Sequence, residues 1–112
     1  MKIVISSTGP SLKAVVEPRF GRAAFLLLYD TETKAVVEVV DNTHGQDAVQ
    51  GAGISVAGLL AQKGVEIIFT GRVGPKAMAV VDQAGIRGVD GISGTVEEVI
   101  DFFLAAGREG AC

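Results

Sequence analysis

Pro18-Arg19-Phe20-Gly21-Arg22 is the densest chemical signal in the chain: two guanidiniums flank one aromatic ring and one glycine. Arginine grips phosphate or carboxylate through two parallel N–H donors, and glycine lets a backbone come close to a ligand. The plainer alternative is a pair of solvated arginines around a ring that plugs the core. Phe20 suits that plug better than a stacking platform. His44 is the sole histidine, and a neutral imidazole ligates borderline metals. With one histidine and one cysteine in the whole chain, a closed zinc site of about four ligands is not expected. His44 therefore reads either as one ligand to a preassembled metal cluster or as an ordinary loop residue. Cys112, the last residue, reads as part of a tail.

Glycine-rich turns carry the second signal. Gly71-Arg72-Val73-Gly74 precedes Pro75, and Asp90-Gly91-Ile92-Ser93-Gly94 precedes Thr95. Each turn leads into a helix. Proline fits the first helical position, where its missing N–H costs nothing. Thr95 with Glu98 forms a capping-box pattern. Free N–H groups at two helix starts suit an anion, and Gly74 is expected to serve close approach or a positive φ. Plain turn-making is the competing role for each glycine.

The elements that must position these residues follow from hydrophobic spacing. Residues 2–6 form a first apolar strand. Residues 7–22 form a long loop punctuated by Gly9-Pro10 and Glu17-Pro18. Residues 23–29 and 35–40 flank a polar turn and read as a hairpin. Glu38 interrupts one face of its strand, which marks that strand as an edge or half-exposed one. Val49, Ala52, Gly53, Val56, Leu59, Leu60 and Lys63 recur at spacings of three and four, a helical face. Gly64 sits where a left-handed helix stop is wanted. Residues 65–70 are a nearly unbroken apolar run, as expected of a strand buried on both sides. A second helix with Ala77, Val80, Val81 and Ala84 inward stops at Gly85. Residues 86–89 form the fifth strand. In the last helix Val96, Val99, Ile100 and Phe103 face inward and Gly107 is the expected end, before a frayed tail. The order β-β-β-α-β-α-β-α predicts an α/β fold of ribonuclease H-like type. Its five-stranded mixed sheet has the order 3-2-1-4-5, and three helices pack on both faces. The functional edge should lie at the carboxyl ends of the parallel strands.

Composition narrows the function. A chain of 112 residues, 48% hydrophobic, is read as one domain with a real core. The net charge is −3 and lysines and arginines are not clustered, so no nucleic-acid partner is expected. No run is long enough to span a bilayer, so no membrane partner is expected either. The short start before the first strand is not read as a signal peptide, and a single cysteine fits a reducing, cytoplasmic setting. Nuclease chemistry of the ribonuclease H type needs clustered carboxylates for metal ions, and Ser6 and Ser7 end the first strand instead. Gly51-Ala52-Gly53 lacks the third glycine of a dinucleotide fingerprint and does not directly follow a strand. No acid, base and nucleophile set can be assembled, so the chain is not expected to be an enzyme.

Phe20-Gly21-Arg22-Ala23, the strand ending in Tyr29-Asp30, Asn42, Gly51-Ala52-Gly53, Gly64-Val65, Gly71 with Gly74-Pro75-Lys76-Ala77, Ala84-Gly85-Ile86 and Gly94-Thr95-Val96-Glu97-Glu98 together resemble the dinitrogenase iron–molybdenum cofactor biosynthesis family. The resemblance runs through nearly the whole chain. It implies a ribonuclease H-like fold and the binding, without catalysis, of an iron–molybdenum cofactor or its precursor. Taken with the reading of the residues themselves, the candidate cofactor site is Arg19, Phe20, Gly21, Arg22, Asn42, Gly51, Gly53, Gly71 and Gly74, with His44 as a candidate metal ligand. The leading expectation is thus a carrier for an anionic cluster of iron–sulfur or iron–molybdenum type, with a cluster donor or acceptor protein as partner. The alternative is a regulatory module that binds a small molecule or phosphate at the same glycine-rich rim.

Overall fold

The computed structural model describes residues 1–42 and 52–110. Five strands form one sheet in the order β3-β2-β1-β4-β5, as the sequence predicts. β1 (Lys2–Ser7) is central, antiparallel to β2 (Phe25–Asp30) and parallel to β4 (Val65–Phe69). β3 (Ala35–Asp41) pairs antiparallel with β2 at one edge, and β5 (Arg87–Val89) pairs parallel with β4 at the other. Ile3, Val4 and Ile5 are fully buried in succession, because helices cover both faces and leave no polar side for alternation.

The period of two along each strand divides the core. Val4, Leu26, Leu28 and Ile68 face the layer of α1 (Ala52–Gln62) and α2 (Pro75–Gln83). Ile3, Ile5, Leu27, Ile67 and Phe69 face α3 (Val96–Gly110). The inward face of α1 is rotated from the expected one: Val56, Ala57 and Leu60 are buried, while Leu59 is exposed. On α2, Ala77 and Val81 are buried, Val80 is partly so, and Ala84 is exposed.

Helix ends follow backbone conformation. Gly64 (φ 76°) follows α1 and Gly85 (φ 77°) follows α2, both in the left-handed region that a side chain disfavours. After α2 the Gly85 N–H donates to the Asp82 carbonyl and the Ile86 N–H to that of Val81. That closure spends the last carbonyls of the helix. Ile86 is thereby tied to α2, and β5 begins only at Arg87. Gly107 does not stop α3, which continues to Gly110. A glycine in a helix costs about 1 kcal/mol relative to alanine but does not break the hydrogen-bond ladder.

Candidate functional site

All the parallel strands end at one rim of the sheet. The register Ser7 to Phe25 to Asp41 brings the end of β3 and the start of β2 to the same rim. Helices α1, α2 and α3 each return from, or start at, this edge, so their first turns point towards it. Among the described residues, 8–24, 70–74 and 90–95 are the connections that build it.

Backbone hydrogen bonds lock these connections together. The Phe20 N–H donates to the Arg72 carbonyl at 3.0 Å, and Arg19 bridges Arg72 in parallel. The Gly91 N–H donates to the Gly71 carbonyl and the Ile92 N–H to that of Thr70, at 2.8 and 3.1 Å. The Val16 N–H donates to the Gly94 carbonyl at 2.8 Å. Buried hydroxyls add a second lock: Ser6 Oγ lies 2.7 Å from Thr70 Oγ1 and 2.9 Å from the Glu17 carbonyl. Each hydroxyl has one proton. A chain from the Thr70 hydroxyl to Ser6 and on to Glu17 therefore satisfies both groups. The long first loop is thus a pinned segment.

The two helix starts differ, and this corrects the expectation of two free ones. At α3 the Val96 and Glu97 N–H groups donate to the Ala14 and Leu12 carbonyls, each at 2.9 Å. The Glu98 N–H donates to Thr95 Oγ1, and the Thr95 N–H donates to Glu98 Oε1, completing the capping box. The same two donors from Thr95, amide first and hydroxyl second, hold the Glu98 carboxyl below its ordinary value. That helix start is occupied by its own chain. At α2, Gly74 offers no side-chain cap and Pro75 has no N–H. The Lys76 and Ala77 N–H groups have no hydrogen-bond partner among the described residues. The dipole end of α2 is therefore open at the rim.

The other candidate residues fall into place around α2. Arg19 is exposed, and so are Arg72 and Lys76. None of these three is in an ion pair among the described residues. Arg22 is half-buried and already bonded. Gly21 sits between them in the 3-10 turn Phe20–Arg22, which packs on α1. Phe20 is buried in the core with Val73 and Ala77. Its ring anchors the two arginines and offers no face to a ligand. Asn42 is committed to the fold: its Nδ2 donates to the Ala23 carbonyl and its N–H to that of Ala24, at 2.9 and 2.8 Å. Gly53 lies in the first turn of α1. Gly51, His44 and Cys112 fall outside the described residues.

Gly71 and Gly74 separate sharply. A Cβ on Gly71 would stand 2.5 Å from the Pro18 carbonyl oxygen and 2.6 Å from its Cα. This glycine exists because two backbones cross. Gly74 has φ −65° and open space around a would-be Cβ, so neither close approach nor positive φ explains it. Sequence reasoning missed Arg72 and Lys76, although Gly-Arg-x-Gly-Pro-Lys ahead of a helix displayed them. The cations gather at the α2 corner, while Glu17, Asp41 and Asp90 stand along the rest of the rim. Among the described residues no three His, Cys, Asp or Glu side chains come together to hold a metal ion.

The dinitrogenase iron-molybdenum cofactor family matches residues 1–106. The chain belongs to this family. Its resemblance to the orange protein from Desulfovibrio gigas, solved in the apo form, is 40% in identity over 94% of this chain and 88% of that one, with a TM-score of 0.88. The solution structure of a putative NifB protein from Thermotoga aligns at 39% identity and a TM-score of 0.79, over 96% of this chain and 89% of that one. An uncharacterized protein of Methanocaldococcus jannaschii is 31% identical over 80% of this chain and 76% of its own length. For a member of the dinitrogenase iron-molybdenum cofactor family, the α2 corner is a part of the rim that, among the described residues, has donors to spare.

Proposed function

We propose that this protein binds an anionic metal cluster of iron–sulfur or iron–molybdenum type and passes it to an acceptor protein, without catalysing a reaction. The observation that carries this reading is the α2 corner. Arg19 and Arg72 are fixed side by side through their backbones, just before the start of α2, and among the described residues no acid pairs with either and the first two α2 amides are unused. Like charges held together cost free energy that an arriving anion relieves. A polyanionic cluster meets both the charge and the donors. With no ligand cage among the described residues, the cluster is held mainly by charge and N–H groups, and His44 supplies a direct metal bond. Membership of the cofactor family and likeness to a protein solved in its apo form support the same reading. The working unit is the single domain of residues 1–112, acting in the cytoplasm. No helix among the described residues is long and apolar enough to cross a membrane.

The test is anaerobic titration with a synthetic iron–molybdenum–sulfur cluster, followed by absorbance and elemental analysis after gel filtration. One cluster retained per chain is expected. A protein that stays colourless at micromolar concentrations, yet melts at higher temperature with inorganic phosphate or a nucleotide, would transfer the corner to small phosphate ligands, since a native-state ligand raises the melting temperature.

A further inference from the structure

Three helices divide two to one over the sheet. α1 and α2 share one face, and α3 alone covers the other. One helix is too narrow to cover five strands, and the β5 side of its face stays open. A cavity of about 470 Å³ lies there, a volume within the range of roughly 300–1,000 Å³ typical of small-molecule pockets. Val89 and Ile92 line it from β5 and the loop beyond, and Phe69 and Phe103 meet edge to face behind it with centroids 5.2 Å apart. Phe102 also lines it, although 75% of that residue is exposed. A phenylalanine so exposed beside an apolar cavity is a poor arrangement for water alone.

Among the described residues the polar lining is limited to Arg87, Ser93 and Glu98, and the two charges are not equivalent. Glu98 already accepts from the Thr95 amide and hydroxyl. The Arg87 side chain has no ion pair or hydrogen bond among the described residues. Arg87 opens β5 at the end away from the rim, while Glu98 lies in the first turn of α3 at the rim. The charges therefore stand towards opposite ends of the cavity, and an anion is drawn to one end and repelled at the other. We propose that this cavity is a second binding site, for a small aromatic or branched aliphatic carboxylate. The anion pairs with Arg87, and the apolar body lies between Val89 and the Phe69–Phe103 pair. A hydroxyl or amide N–H at the far end of the ligand would suit Ser93 and Glu98. The α2 corner needs a compact polyanion; this cavity needs one charge on an apolar body. The α2 corner lies at the rim, whereas this cavity lies on the α3 face of the sheet.

The experiment compares 2-naphthoate with its neutral amide, 2-naphthamide, on the full chain by amide chemical-shift titration. Expected are shifts centred on Val89, Ile92 and Phe103 and at least tenfold tighter binding of the carboxylate. Arg87→Gln, an exposed substitution that should leave the melting temperature unchanged, should erase that preference while the amide binds as before. It should leave cluster titration at the α2 corner unaffected, which separates this site from that one. Ile92→Trp, which fills the cavity, should weaken both probes. Equal affinity for the two probes, shifts centred on Arg19 and Arg72, or no binding at millimolar concentration would overturn the proposal. So would a concentration-dependent dimer that Phe102→Ser dissolves, because a second copy would then be the occupant.

Discussion

Two glycines three residues apart behave as different residues. Gly71→Ala drives a methyl group into the backbone of Pro18, which cannot yield as a flexible side chain would. We expect a loss of about 1–3 kcal/mol, the usual cost of overpacking, measured by chemical denaturation. Anion binding should fall as well, because the same crossing sets Arg19 beside Arg72. Gly74→Ala should change stability little. Gly74→Asp should do something sharper: its carboxylate can cap the open amides of α2, add roughly a few tenths of a kcal/mol of stability over the glycine cap and compete with any external anion. Higher stability with weaker anion binding is the expected pair, read from a melt and a titration of the same variant. Unchanged anion affinity in this variant would remove the α2 amides from the site. The sequence marked both glycines but could not rank them. The reason for Gly71 is a contact with Pro18 on another loop, whereas the requirement at Gly85 is local and was legible from the helix pattern before it.

At the scale of elements, the capping box of α3 was readable from Thr95 and Glu98, since its partners are three residues apart. What was not readable is that the first loop reaches over to take the next two amides. That pairing brings Leu12 and Ala14 to Val96 and Glu97, and no local pattern encodes it. The box gives a pH prediction. The Glu98 carboxyl is more acidic in the folded chain than its ordinary value of 4.5. Its contribution to stability is therefore complete above that value and fades as pH falls below it through the folded value. Glu98→Gln should flatten this part of the stability–pH curve, followed by urea denaturation between pH 6 and 3. Thr95→Ala should cost about 1 kcal/mol. Helix length was misjudged at Gly107 for a physical reason: a glycine ends a helix when its φ turns positive, and composition does not report φ.

For the molecule as a whole, strand order and layering were legible because they rest on long apolar runs and right-handed crossovers. The cationic corner was only half legible: Arg19 and Arg22 are neighbours in sequence, while Arg72 joins them through the fold. Arg19→Ala with Arg72→Ala should reduce cluster affinity at least tenfold, with a loss that shrinks as salt rises from 50 to 500 mM, because screening weakens exposed charges. If His44 ligates the cluster, affinity should also fall as pH drops through its imidazole value, roughly 6.5 when unperturbed. In His44→Ala that pH dependence should disappear. The clasp between residues 12–16 and residues 94–97 has a temporal meaning as well. The segment that presents Arg19 is fastened to the start of the last helix. On the ribosome, that segment cannot close until residues 94–97 have emerged. Under the proposed function, a nascent chain halted before Gly94 should retain no cluster, while one released after α3 should load.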